Sequence, residues 1–140
     1  MAVKIPRILR FILQNIESLG YPFLERLQPT EHFDKKLKSI RFHNVAAFKR
    51  IMTVRDRLLI HPDDADGKMH GLYNGRFKKY VGRTGYRIIY YWCELCRKEN
   101  RKRDDACEHC EQIPDRSVIF FDVYHKKDSK KYKRETSPVY

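Results

Sequence analysis

Glycine and proline are scarce, six of each in 140 residues, which excludes collagen-like repeats and Pro/Gly-rich disordered chains. No apolar run approaches the roughly 18 residues of a membrane span. The opening MAVKIPRILRFILQNIESLG is amphipathic and lacks a small-residue cleavage site, so a cytoplasmic protein without a membrane partner is expected. Acidic residues are in deficit, 18 against 30 Lys+Arg, leaving a formal charge of +12. That imbalance disfavours cationic partners and favours a polyanion such as nucleic acid. Cysteine is absent outside residues 93–110, which rules out a disulfide framework distributed over the fold. What the chain does have is a 41% hydrophobic and 13% aromatic composition, enough for one ordinary core at this length.

The four cysteines fall in two C-x-x-C units, CELC and CEHC, with ten residues between them. Each unit lets two thiolates grip one ion from a tight turn, and Cys93, Cys96, Cys107 and Cys110 together supply the tetrahedral four-sulfur set of structural zinc. A closed set of this kind leaves no coordination position for catalysis. Two disulfides and a thioredoxin-like redox pair are the competing readings. A reducing compartment argues against the first, and the second lacks its usual surrounding pattern. An iron–sulfur cluster or redox sensor is a further alternative. The intervening RKENRKRDDA is a charged fingertip whose Arg101 and Arg103 are candidate phosphate contacts or merely solvated cations.

Helical periodicity opens the chain. Ile5, Ile8, Leu9, Ile12, Leu13, Ile16 and Leu19 predict a helix over 4–19 stopped by Gly20. YPFLERLQP, bounded by prolines, reads as an edge strand. Thr30 is placed to cap a helix carrying Phe33, Leu37 and Ile40 on one face, and Asn44 a second bearing Ala47, Phe48, Ile51, Val54, Leu58 and Leu59, ending near His61-Pro62. HPDDADGK is a polar loop, after which RFKKYV, GYRIIYYW and SVIFFDVYH read as three strands. The cysteine segment stands where the second hairpin turn would be, and the basic tail KKDSKKYKRETSPVY is expected to fray. The expected architecture is α+β: a small twisted antiparallel sheet packed on N-terminal helices, with a zinc knuckle inserted between the last two strands.

GRFKKYVGRTGYRIIYYW followed by VIFFDVYHKKDSKKY, with LQPTEHFDKKLKSI upstream, resembles the RelE branch of the RelE/ParE toxin superfamily. The resemblance covers residues 21–92 and 117–132. The helix within 1–20, the insertion 93–116 and the tail 133–140 lie outside it. It implies a toxin of a toxin–antitoxin system: an endoribonuclease acting on mRNA, often at the ribosome, restrained by an antitoxin protein. By position, the family's catalytic lysine falls on Lys78, its strand arginine on Arg87, a basic residue at the end of the last strand on Lys126 and its late tyrosine on Tyr132. Tyr80 occupies a family lysine position, which is a departure.

Strand alternation leads to a similar surface without the family. Arg76, Lys78 and Tyr80 share one face, as do Arg87, Ile89 and Tyr91, and as do Asp122, Tyr124 and Lys126. RNA cleavage without a catalytic metal requires deprotonation of a 2′-hydroxyl, attack on the adjacent phosphorus, and fixed cations to neutralise the developing charge. Arg87 suits the clamp because its planar fork binds phosphate bidentately and does not deprotonate. Lys78 or Tyr132 is the candidate base. Arg76, Tyr80, Arg83, His125 and Lys127 are candidate nucleic-acid contacts, while Tyr90, Tyr91 and Trp92 read more readily as packing aromatics. The alternatives are a nucleic-acid-binding zinc protein without catalysis and a ParE-like topoisomerase inhibitor.

Overall fold

A computed structural model of the chain describes residues 26–98 and 116–134. The helix expected over 4–19, Arg101, Arg103, Cys107, Cys110 and residues 135–140 lie outside the described residues. Along the rest run β1 (Leu27–Pro29), α1 (Glu31–His43), α2 (Val45–Ile60), β2 (Gly67–Lys68), β3 (Phe77–Tyr80), β4 (Tyr86–Trp92), α3 (Cys93–Lys98), β5 (Val118–His125), a 3₁₀ turn (Lys126–Asp128) and α4 (Ser129–Arg134). The fold is α+β, as expected.

Local signals fix the two long helices. Thr30 Oγ1 accepts the Phe33 N–H at 3.2 Å and Asn44 Oδ1 accepts the Ala47 N–H at 3.1 Å, satisfying donors that a helix start leaves open. Asn44 serves both helices, since its own N–H closes α1 on the Ile40 carbonyl. From α1, Phe33, Leu37 and Ile40 are buried against one side of the sheet; from α2, Phe48, Ile51, Leu58 and Leu59 join them. Ile88, Tyr90, Val118, Phe120 and Val123 supply the sheet's share of this core. Each such aliphatic or aromatic side chain contributes about 1.5–3 kcal/mol on leaving water.

The strand order is β1-β5-β4-β3-β2. β3, β4 and β5 form antiparallel pairs, but β1 pairs parallel with β5, Leu27 opposite Val118, so the sheet is mixed rather than wholly antiparallel. Chain direction explains this: β1 precedes both helices and docks on the free edge of the last strand, where the missing N–H of Pro29 is tolerated. A register slip between Ile89 and Tyr90 leaves Phe121 without a pairing partner on β4. Such a bulge re-aims side chains. Here Phe121 enters the apolar cluster on the sheet side away from α1 and α2, and Asp122, the next residue, bonds Tyr132 of α4.

That second side has its own core of Met69, Tyr73, Ile89, Tyr91, Ile119, Phe121, Tyr124 and Tyr132, with Cys93 and Cys96. Burial on both sides explains why β4 and β5 read as continuous apolar runs. The described part of the basic tail, residues 126–134, expected to fray, instead forms the 3₁₀ turn and α4. Tyr132 anchors it, 4% exposed and stacked on Tyr124 with ring centroids 4.1 Å apart. A polar sequence folds here because one aromatic finds an apolar slot and a hydroxyl partner. No helix among the described residues is long and apolar enough to cross a membrane.

Candidate active site and cysteine cluster

β3 and β4 bring Lys78, Tyr80 and Arg87 to the sheet side away from α1 and α2. Tyr80 pairs with Arg87, and Lys78 with Ile89. The Arg87 guanidinium lies 5.0 Å from the centre of the Tyr80 ring and 5.8 Å from that of Tyr124, and it donates to Ser129 Oγ at the start of α4. Lys78 Nζ lies 5.6 Å from the Tyr80 ring centre. Two cations thus converge on one tyrosine that is 45% exposed. A ring so placed fixes the cations by cation–π attraction without consuming their phosphate-binding donors.

The β3–β4 turn shapes the approach to this patch. Arg83 is exposed at its tip with φ of 64°, and Gly85 has φ of 79° with its α-carbon against the His125 imidazole. A methyl group at Gly85 would sit 2.6 Å from His125 Nε2, so glycine is required on both counts. The Lys126 N–H bonds the Gly85 carbonyl at 2.8 Å, which brings the 3₁₀ turn beside the start of β4. Lys126 and Lys127 are exposed on that turn; β5 ends at His125, one residue earlier than a strand-borne Lys126 requires.

Other expected residues are placed differently. Arg76 is fully buried, its guanidinium 4.8 Å from the centre of the Phe121 ring. It packs inside the second core and is not presented to a nucleic acid. His125 packs edge-on against Tyr86 at 5.0 Å and accepts the Lys127 N–H at Nδ1. Because Tyr86 packs with the helix-side core, His125 faces away from Arg87. Tyr132 lies under α4 with its hydroxyl donating to Asp122 Oδ2 at 2.6 Å. Burial and the adjacent carboxylate both hold the Tyr132 phenol far above its ordinary pKa. A phenol committed in this way cannot serve as the base, and its place in the structure is that of an anchor. Burial likewise raises the Tyr124 phenol, with Arg87 acting in the opposite sense.

Asp122 is the centre of a network that sequence reasoning missed. Its carboxylate, 2% exposed, also receives His32 Nε2 at 3.1 Å and Lys36 Nζ at 3.1 Å on Oδ1, and Lys36 Nζ donates to the Tyr132 hydroxyl at 2.8 Å. Tyr90 and Tyr91 are buried, as packing aromatics should be. The signal that was available is Asp122 itself: a carboxylate within VIFFDVYH has to find partners when its strand is buried. A cleft of about 390 Å³ between α1 and β5 is lined by His32, Lys36, Ile40, Tyr124, His125 and Asp128.

Cys93 and Cys96 begin the insertion on α3, a helical turn rather than the tight turn expected. They are 2% and 6% exposed within the second core. A spacing of three on a helix puts both thiols on one side, which fits half of a four-thiolate set. The Cys93 N–H bonds the Ser117 carbonyl at 2.9 Å, and Trp92 pairs with Val118, so the two ends of the insertion are held together by the β4–β5 ladder. Among the described residues no group of three or more metal-binding side chains is present. Searches against protein-family models, curated proteins and solved structures found no match to this chain.

Proposed function

We propose that the protein is a RelE-like endoribonuclease toxin that cuts mRNA by attack of a 2′-hydroxyl on the adjacent phosphorus, with cations of the sheet surface stabilising the transition state. The observation that carries this reading is the convergence of Lys78 and Arg87 on the exposed Tyr80 ring, beside the turn bearing Lys126. Arg87 clamps the phosphoryl oxygens through its planar fork. Lys78 supplies a second charge, and Tyr80, standing where the family has a lysine, offers a face for an unpaired base. A net charge of +12 steers the RNA to this surface. The partners of the reading are mRNA, the ribosome as the setting of cleavage, and an antitoxin protein in the cytoplasm.

The insertion takes structural zinc through Cys93, Cys96, Cys107 and Cys110. Its support is the paired C-x-x-C spacing together with the shared helical side of the two buried thiols. The metal supplies folding energy to a segment too small to form a core, and the chemistry of cleavage is assigned to the sheet residues alone.

The reading is tested by incubating RNA with the protein, with and without ribosomes, and with a chelator that leaves thiolate-held zinc in place. Cutting that persists in chelator and that Arg87→Ala reduces by about 10²-fold or more supports it. Tight RNA binding with no cutting by the wild type favours a binding module instead, the outcome to which Tyr80 in place of lysine points. Growth arrest with intact RNA and damaged DNA indicates topoisomerase inhibition.

A further inference from the structure

We infer that Ser129 is a positioning residue of the proposed nuclease: its hydroxyl holds the Arg87 guanidinium in the orientation that clamps the scissile phosphate. The inference rests on the reading above and adds to it the element that keeps the clamp still. α4, which that reading leaves without a task, acquires one.

An arginine on a strand surface reaches its target through a long, rotatable stem, and a clamp is effective only if its fork already stands where charge will develop. Arg87 leaves β4 and is met by three other elements. The Tyr80 ring of β3 is centred 5.0 Å from its guanidinium and the Tyr124 ring of β5 5.8 Å, while the Ser129 hydroxyl of α4 accepts from Nη1. A π-face attracts the whole cation rather than one N–H. Of these contacts the bond to Ser129 is the directional one. With Nη1 turned to Ser129, the edge formed by Nε and Nη2 remains, and that edge is a two-donor fork suited to a phosphate.

The Ser129 side chain is not spent on capping. Its backbone is helical, φ −55° and ψ −38°, with its N–H on the Lys126 carbonyl, whereas a capping serine is extended. α4 is in turn pinned on both sides of Ser129. Three residues earlier, the Lys126 N–H bonds the Gly85 carbonyl at 2.8 Å; three residues later, Tyr132 stacks on Tyr124 at 4.1 Å and its carbonyl accepts the Leu72 N–H at 3.0 Å. The Tyr132 hydroxyl adds its bond to Asp122, which Lys36 of α1 also holds. Tyr124, only 4% exposed, lies beneath both Arg87 and Tyr132, so the clamp and the helix that steadies it share one support. A serine within an otherwise exposed basic segment is thereby held against the sheet. Its partner is Arg87 and not the RNA, so its effect passes through the clamp alone.

The test measures cleavage of one RNA oligonucleotide, with ribosomes where cutting requires them, and follows binding on its all-2′-deoxy counterpart. Wild type is compared with Ser129→Ala, Ser129→Thr, Arg87→Ala and the double variant Ser129→Ala/Arg87→Ala. Ser129→Ala is expected to lower kcat about 10-fold while KM and deoxy-strand binding stay within about twofold of wild type, the pattern of a contact that counts only in the transition state. Ser129→Thr, which keeps the hydroxyl, should recover most of that rate. In the Arg87→Ala background Ser129→Ala should cost nothing further, since a positioning residue has no effect once the group it positions is gone. Ser129→Ala that cuts at the wild-type rate, that loses binding instead of kcat, that threonine does not recover, or that loses the same factor with and without Arg87 overturns this inference alone. A wild type that cuts nothing, or Arg87→Ala that cuts like wild type, overturns it together with the nuclease reading.

Discussion

Replacing Asp34 by asparagine should stabilise the protein at neutral pH and not at acid pH. Asp34 lies on α1 with only 5% of its surface exposed, and its Oδ1 has no hydrogen-bond partner among the described residues. Burial pushes its pKa from 3.8 to about 6, with the Arg55 charge on α2 opposing that rise in part. At ~1.4 kcal/mol per pH unit, the displacement corresponds to about 3 kcal/mol of differential stability. A carboxyl whose folded pKa is raised binds its proton more tightly in the native state. Its contribution is therefore fully present below pH 3.8 and is lost as pH rises through about 6. Asparagine occupies the same volume and does not titrate. Urea unfolding of both proteins from pH 4 to pH 8 should show a stability difference that opens by about 2.5 kcal/mol in favour of Asp34→Asn, most of it between pH 4 and 7. A difference that stays constant across this range would mean that the carboxyl is solvated or paired, and that the packing of α1 against α2 is not as described.

Gly85→Ala should destabilise by about 2 kcal/mol or more, since it adds left-handed backbone strain to a contact 2.6 Å from His125 Nε2; in thermal unfolding, His125→Ala in the same chain should recover the contact part and not the strain. Tyr132→Phe removes one donor to buried Asp122 and should cost about 1–3 kcal/mol in chemical denaturation while cleavage proceeds near the wild-type rate; a large loss of rate with unchanged stability would return Tyr132 to the chemistry. Leu37→Ala, at a position with no exposed surface, should cost about 2–5 kcal/mol by urea unfolding. Elemental analysis should find one zinc per chain, and Cys93→Ser should lower that content and the melting temperature together; a full zinc complement in Cys93→Ser would exclude it as a ligand.

The elements most legible in the sequence were those whose signals are local. α1 and α2 announce themselves through a 3.6-residue apolar period and two capping residues, Thr30 and Asn44, whose side chains make the bonds expected of them. The sharing of one face by Lys78 and Tyr80 follows from the two-residue period of a strand, and the β3–β4 register sets Arg87 opposite Tyr80 on that face. What sequence reasoning missed depends on distant partners. The parallel docking of β1 on β5 joins segments some ninety residues apart, and the two-residue β2 carries too little pattern to register. α4 looked like a solvated tail because its one apolar residue, Tyr132, is buried by a stack and a hydroxyl bond formed only in the folded chain.

Arg76 misled for a related reason. Strand alternation correctly placed it on the Lys78 side, but the loop through Met69 and Tyr73 folds over that end of the sheet and encloses it. Alternation from Tyr124 placed Asp122 correctly opposite Ile89, and the bulge falls at Phe121; what alternation could not show is that Asp122 binds partners on α4 and α1. His32 carries no sequence signal of its own. Its spacing to Lys36 is that of any two residues on the outer side of a helix, and only Asp122 turns the pair into a network.

The central claim is that one RNA linkage engages the surface built by Lys78, Tyr80 and Arg87. It is tested most directly by a crystal structure of the protein with a short RNA whose scissile 2′-hydroxyl is replaced by hydrogen. The account predicts the uncleaved phosphate within hydrogen-bond reach of the Arg87 guanidinium and a base against the Tyr80 ring. RNA bound instead across the outer surface of α1 and α2, with Arg87 still donating to Ser129 and no phosphate near it, would contradict it.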